Sequence, residues 1–588
     1  DARLILGDEK LFADFQRRFR EDVLKASVRP FVDAKLEEQN ARHSRAGASR
    51  YLVEPNIKDG KGGLRDLHTL HWLAKHLYPD TAEEEFVEAG VFTPAEYRSF
   101  RRCESFLWSV RCQLHFLTDR PEERVSFDLQ PLMAERLGYH GHAGLRAVER
   151  FMKHYFLVAK EVGELTRIVC SALEMKQLKS LPSLGTLLSP FGWKRRAHLR
   201  RTSDFRIENG RISAIHKDIF AKDPVNFIRL FALADEQQAT FSPEVLRQVR
   251  ANLRLIDDSL RVNPTANRIF LRLLSDARDP EGVLRSMNEA GVLGHFIPDF
   301  GRVISMMQFN MYHHFTVDEH LIRTIGFLSD IERGKYALEH PVSTEIIRTI
   351  DNRRALFVAV LLHDIAKGRD EDHSQAGARI ARELGPRLGL TPSETETATW
   401  LVEHHLVMST FAQSRDLNDP KTIRDFADLV QSRERLKLLL LLTVADLRGV
   451  GPGVWTGWKG QLLRNLYFET EPVLGGGHTT LTRTERVSRA QDALRERFAD
   501  WPKPELERFI DRHYPAYWLR TDLDVIAEHA KLIRAAEAEH KSLITHIATH
   551  EFRGVTEVTL LAPNHSRLLA MVAGACAGAG ANIVDAQI

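Results

Sequence analysis

Cysteine is scarce: the 588 residues hold four, Cys103, Cys112, Cys170 and Cys576. None forms a C-x-x-C pair, which argues against a thiolate zinc site and a disulfide framework, and points to a reducing cytosol. Long hydrophobic runs are also missing. The longest, Leu438 to Ala445, falls far short of the roughly 20 residues that span a bilayer, so no membrane association is expected. Net charge is only +2, so no global field draws the chain onto nucleic acid or anionic lipid. There is no signal peptide, internal repeat or low-complexity tract. The chain opens at Asp1 without Met and closes at Ile588 in a strand-like run, and is expected to be a piece of a longer protein.

What remains is ordinary for a globular protein, with 43% hydrophobic and 28% charged residues. The length suits roughly three or four domains. Helical periodicity dominates. Residues 1–50 read as helical and rich in Arg and Lys. Tyr51-Leu52-Val53-Glu54 reads as one strand, and Asp59-Gly60-Lys61-Gly62-Gly63 as a loop. Residues 64–175 read as a helical bundle, in which "LRDLHTLHWLAKHL" puts Leu67, Leu70, Leu73, Ala74 and Leu77 on one face. "SLPSLGTLLSPFG" is a linker. "DFRIENGRISAI" is a hairpin turning at Asn209-Gly210. Helices then run from about Pro224 to about His550, broken at "GVGPGVW" and "GGG". At the end "TEVTLLAPN", "SRLLAMVAGACAGAGA" and "NIVDAQI" read as strand, helix and strand.

The stretch "LLHDIAKGRDEDHS" carries the chemistry. Seven apolar residues, Leu356 to Leu362, run directly into His363 and Asp364. A carboxylate in so apolar a setting needs neutralising, by a salt bridge or by a metal ion. Other segments offer similar ligand types: His320 in "TVDEHLIRTIGFL", His373 in "DHSQAGA", His404 and His405 in "WLVEHHLVMS", and Asp446 after "LKLLLLLTVA". Taken singly, each is a capped or surface side chain as readily as a ligand. The ordered set, H then HD, H, HH and D, points to metal. Imidazole and carboxylate donors suit borderline to hard divalent ions. Six or seven ligands exceed one tetrahedral zinc and suit two ions bridged by Asp364. Such pairs generate hydroxide at neutral pH and clamp a phosphoryl group, so phosphoester hydrolysis is the first reaction class to consider. Lys367, one turn after His363, has two readings: a point charge facing phosphate, or a solvated lysine complementing the helix dipole.

This ligand order resembles the HD phosphohydrolase superfamily. "MYHHFTVDEH", "LLHDIAKGRDEDHSQAGA", "EPNIKDGKGGLRDL", "ERLGY", "DPVNFIRLF" and "AGVLGHFIPDFGR" narrow the match. Over essentially the whole chain they resemble the bacterial bifunctional uridylyltransferase/uridylyl-removing enzymes, which act on the nitrogen regulatory protein PII. The resemblance implies a mainly α protein: a helical bundle, an all-helical HD-type metal-dependent phosphohydrolase domain and a truncated α/β ACT fragment. Its domains fall at 1–57 (tail of a nucleotidyltransferase domain), 58–175 (associated bundle), 176–305 (linker and helical region), 306–465 (HD domain), 466–554 (helical connector) and 555–588 (partial first ACT domain). It implies metal ligands at His320, His363, Asp364, His373, His404 or His405, and Asp446. The ions implied are two, Mn²⁺ first and Mg²⁺ next, with Fe²⁺ or Zn²⁺ also fitting. His363, Asp364 and Lys367 are the catalytic candidates; His405, or His373 if it is not a ligand, is a candidate general acid. The expected reaction is removal of UMP from a tyrosine of PII, with glutamine as effector of the full-length protein.

Three features depart from the family pattern. The Gly-Ser and Asp-x-Asp of the nucleotidyltransferase palm are missing from the sequence, so UMP transfer is not expected of it. Glu54 and the Gly60–Gly63 loop then read either as the border of a nucleotide pocket or as a structural turn. Only half of the first ACT domain is expected, and its ligand loop reads Asn564-His565-Ser566-Arg567. Two rival readings are a hydrolase of free nucleotides and a metal-stabilised scaffold without turnover.

Overall fold

The structure is a computed structural model. It describes the whole chain except residues 1, 25–27, 48, 79–80, 82, 142–144, 180–199, 202, 209, 310–313, 418, 476–482, 522, 551–554, 582 and 584–588. The linker "SLPSLGTLLSPFG", Asn209 of the hairpin turn and most of "NIVDAQI" therefore lie outside the described residues. The architecture is mainly helical. Two compact units divide the chain: residues 1–329, 352–405 and 445–454, and residues 330–351, 406–444 and 455–588.

The first unit begins with a bundle of α1 (Val28–Arg45), α2 (Leu64–Leu77), α3 (Pro94–Thr118) and α4 (Ala147–Lys179). Leu67, Leu70, Leu73 and Ala74 are buried on the expected face of α2, in a core shared with Leu107 and Phe151. A capping box at Thr93 and Glu96 starts α3, with Pro94 at its first turn. Tyr51–Glu54 is a correction. Rather than a strand, it makes one antiparallel bridge, Leu52 to Phe315. Val53 N donates to His314 O at 3.0 Å, and Pro55 has no N–H to carry the ladder on. Glu54 pairs with Arg124 at 2.6 Å and accepts from Phe127 N at 2.9 Å. The glycine loop is packed in: a Cβ at Gly62 would stand 2.4 Å from Ala159 O. Gly62 N also donates to Asp66, at 2.7 Å. These contacts supply the structural account of both Glu54 and the loop.

The expected hairpin is present as part of a four-stranded sheet: β1 (Arg200–Arg201), β2 (Phe205–Glu208), β3 (Arg211–Ala214) and β4 (Thr240–Phe241), paired in that order. Ile207 faces Ile212 across β2 and β3. Gly210, at φ +73°, takes the left-handed conformation the turn requires. Helix α5 (Pro280–Glu289) follows.

Five further helices position the histidines and aspartates: α6 (Val317–Glu332), α7 (Arg353–Leu362), α8 (His373–Leu388), α9 (Pro392–Glu403) and α10 (Arg433–Val450). Every residue of α7 from Ala355 to Leu362 is buried, so this helix is apolar all round, as a core helix must be. Thr391 and Glu394 form a capping box that starts α9.

The second unit holds α10 up to Val444 and, beyond the break at 451–456, α11 (Gly457–Leu474). A separate core gathers Leu494, Phe509, Trp518 and Ile526. The connector is not helical to His550. Ile544–His550 is a strand, β5, paired antiparallel with β6 (Val555–Leu561) before α12 (Leu568–Gly578). Ile544, Thr545, Ile547 and Thr549 are β-branched, and this composition outweighs the helical pattern before it. Among the described residues no helix is long and apolar enough to cross a membrane.

Candidate metal centre

Six of the sequence candidates converge inside the first unit. His320 sits in the first turn of α6, and His363 and Asp364 follow the last turn of α7. His373 opens α8, where the Asp372 carboxylate accepts Ser374 N and Gln375 N, both at 3.0 Å. His405 lies just past the end of α9, and Asp446 lies in α10.

Their donor atoms form two groups of three: His320, His363 and Asp446, and Asp364, His373 and His405. Within each group the atoms lie within 4.8 Å of one another. His320 Nε2 is 3.1 Å from both His363 Nε2 and Asp446 Oδ1. Asp364 joins the groups. Its Oδ1 is 3.7 Å from the Nε2 atoms of His373 and His405. Its Oδ2 is 3.6 Å from those of His320 and His363, and 2.6 Å from Lys367 Nζ. His363 is fully buried, while the His373 side chain is 27% exposed and that of Asp446 15%, so the centre meets solvent on their side.

Backbone carbonyls fix two of the rings. His363 Nδ1 lies 2.8 Å from Val360 O, and His405 Nδ1 lies 2.8 Å from Val402 O. A carbonyl only accepts, so Nδ1 carries the proton and Nε2 presents a lone pair to the centre. His405 Nε2 is shielded from solvent and has no hydrogen-bond partner. An unsatisfied imidazole nitrogen 3.7 Å from a carboxylate oxygen is a fitting metal donor and a costly arrangement otherwise. The nitrogen and oxygen donors of both groups therefore fit divalent ions.

Electrostatics agree. Burial favours a neutral Asp364, yet Lys367, His363, His320 and His405 hold its carboxyl well below the usual range. Asp446 is likewise held down by His363 and His320 against its burial. Burial lowers His363, but Asp364 and Asp446 outweigh it and raise its pKa. His405 is pushed down to about 4, first by burial and then by His363. Burial also lowers His373.

Two candidates stand apart from this donor set. His404 is not in it: consecutive residues project in different directions, and its ring lies against Trp400, centroids 4.9 Å apart. Lys367 is at the centre, but as the ion-pair partner of Asp364.

Close packing that the sequence reading did not single out supports the site. A Cβ at Gly449 would stand 2.3 Å from Thr324 Oγ1 and 3.2 Å from the His320 ring. A Cβ at Gly377 would stand 2.9 Å from Val402 Cγ1. Asp318 accepts from Ser305 N at 3.0 Å and Asn288 Nδ2 at 2.9 Å, and Glu319 pairs with Arg285 at 2.9 Å. These bonds fix the start of α6 immediately before His320. The acidic pair preceding His320 in "VDEH" was the visible signal.

Residues 30–170 match the family described as GlnD PII-uridylyltransferase. Residues 205–296 match the uridylyltransferase GlnD third domain, and residues 317–447 the HD domain. A bifunctional uridylyltransferase/uridylyl-removing enzyme of Bradyrhizobium sp. (strain ORS 278) is 54% identical over 594 residues. That match covers 100% of this chain and 63% of the relative, so the chain spans less than two thirds of the relative's length.

Proposed function

We propose, for a chain that belongs to the family of bifunctional uridylyltransferase/uridylyl-removing enzymes, that its histidine–aspartate centre hydrolyses the bond between UMP and a tyrosine of PII. The observation that carries this reading is Asp364, whose two carboxylate oxygens face two separate donor groups. His320, His363 and Asp446 would hold one divalent ion, and Asp364, His373 and His405 a second. Mn²⁺ is the first candidate and Mg²⁺ the next. Bound there, paired ions supply an activated water and neutralise the charge that gathers on a phosphoryl group.

The protein's own residues do the rest. The carbonyls of Val360 and Val402 keep the lone pairs of His363 and His405 turned inward. Lys367 is a fixed positive charge beside Asp364 and suits the phosphoryl oxygens of the substrate. The more exposed side, at His373 and Asp446, is where a protein-borne nucleotide would enter. The leaving group is a phenolate with a reference pKa near 10. It departs with less help from a proton donor than an alkoxide needs, so no dedicated general acid is obligatory. In the intact protein this hydrolysis would be paired with UMP transfer and set by glutamine.

The test is UMP release from uridylylated PII by this chain and by Asp364→Ala, with and without Mn²⁺. Mn²⁺-dependent release that is lost in the variant supports the reading. Release from free nucleotides but not from PII would favour a nucleotide hydrolase. A folded, metal-loaded chain without release would favour the scaffold.

A further inference from the structure

One face of α5 carries Glu281, Arg285, Asn288 and Glu289, the spacing of a helix stripe. That face meets two other parts of the first unit. Toward the bundle, Glu289 pairs with Arg50 at 3.1 Å, and Asn288 Oδ1 accepts from Lys160 Nζ of α4 at 3.3 Å. Toward the metal centre, Arg285 Nη2 donates to Glu319 at 2.9 Å, and Asn288 Nδ2 donates to Asp318 Oδ2 at 2.9 Å. Asp318 and Glu319 directly precede His320 in the first turn of α6.

Asn288 therefore reaches both sides with a single amide. An ammonium only donates and a carboxylate only accepts, so the orientation of that amide is fixed. Asn288 is 1% exposed and Asp318 fully buried. The second Asp318 oxygen accepts from Ser305 N at 3.0 Å. Ser305 is itself buried and held at φ +56°, a conformation that is costly for a residue with a Cβ. Lys160, Asn288, Asp318 and Ser305 thus form one continuous chain of bonds. Stability alone does not call for it. Among the described residues no carboxylate pairs with the Lys160 ammonium, and a buried amide gains little over apolar packing. The first three members also fall one in each of the family-matched segments: Lys160 in residues 30–170, Asn288 in 205–296 and Asp318 in 317–447.

We propose, on the metal reading of the centre given above, that Asn288 is a positioning residue: its amide carries the placement of Lys160 in the bundle to Asp318, and through the first turn of α6 to His320. Without the amide, that turn loses a tie to α5 and α4. The His320 ring is then free to leave the place where its Nε2 stands 3.1 Å from His363 Nε2 and Asp446 Oδ1. The bundle and the metal centre are in this way coupled through hydrogen bonds rather than through a shared ligand.

The test is Mn²⁺ binding to the full chain by calorimetry, with UMP release from uridylylated PII measured on the same samples. Asn288→Leu, of similar size, is expected to weaken Mn²⁺ binding by about tenfold or more. Lys160→Met, which alters no ligand, is expected to weaken it by about threefold or more. Asn288→Asp combined with Asp318→Asn reverses the central bond: the carboxylate accepts from Lys160, and the amide oxygen still accepts from Ser305 N. This exchange is expected to restore most of the Mn²⁺ affinity. Should Asn288→Leu or the exchange fail to fold, Lys160→Met decides. Unchanged affinity in Asn288→Leu or in Lys160→Met overturns the coupling, as does an exchange that binds no better than Asn288→Leu. An unsubstituted chain that binds Mn²⁺ and releases no UMP contradicts the hydrolase reading alone, and the affinities still decide the role of Asn288. A chain that takes up no Mn²⁺ overturns both.

Discussion

The rings of His363 and His405 meet edge-on with centroids 5.2 Å apart, each turned by a 2.8 Å bond from Nδ1 to the carbonyl three residues before it. The same device at the ends of two helices aims two lone pairs into one centre. The helix ends themselves are electronegative, which favours cations. His405→Ala is therefore expected to weaken metal binding at one donor group by at least about tenfold while leaving the fold intact. Elemental analysis of the Mn²⁺-loaded protein checks this; a metal content equal to that of the unsubstituted chain would contradict it.

Lys367 contacts Asp364 from the side of His320 and His363. In Lys367→Met, metal is expected to remain bound while hydrolysis falls by about 10²-fold or more, the scale of losing one preorganised charge at a phosphoryl group. Metal content and kcat measured on the same sample separate the roles. Loss of metal would make Lys367 a support of the ligands.

Gly449 allows α10 to lie against His320 and Thr324. Gly449→Ala is expected to cost about 1–3 kcal/mol through overpacking, read as a lowered urea midpoint. Adding Thr324→Ala removes the closest atom and should restore part of the loss. An unaffected Gly449→Ala protein would show that the two helices move apart without cost.

Asp66 gives an acid-stability signature in the bundle. Burial favours its neutral form, but His43, Gln39 and Gly62 N hold it down to about 2. A carboxyl lower in the folded state than in the unfolded one stabilises above its unfolded value and loses that contribution as pH falls. From a reference value of 3.8 down to about 2, roughly 2 kcal/mol is lost. The stability gap between the unsubstituted chain and Asp66→Asn should therefore shrink between pH 4 and pH 2 in urea titrations. A constant gap would contradict it.

Much of the centre was legible because its ligands come from short local patterns. An apolar helix running into His363 and Asp364 signals its own end, and the ordered histidines and aspartates do the rest. His404 and His405 were inseparable in sequence, since only the helix phase decides which ring turns inward. Gly377 and Gly449 were invisible because their role is a close approach between helices distant in sequence. Ile544–His550 was read as helix because the helical pattern before it runs on without a strong breaker, and only its pairing with Val555–Leu561 reveals the strand. The supports of His320 are legible only in part. Asp318 and Glu319 stand beside it, but their partners Asn288 and Arg285 come from α5.

The most direct measurement is anomalous scattering from crystals of this chain soaked in Mn²⁺. The expected result is two peaks on either side of Asp364, about 3.5–4 Å apart, one by His320, His363 and Asp446 and the other by His373 and His405. No peak at Asp364, in crystals where Mn²⁺ scatters elsewhere, would contradict the assignment of this centre as a metal site.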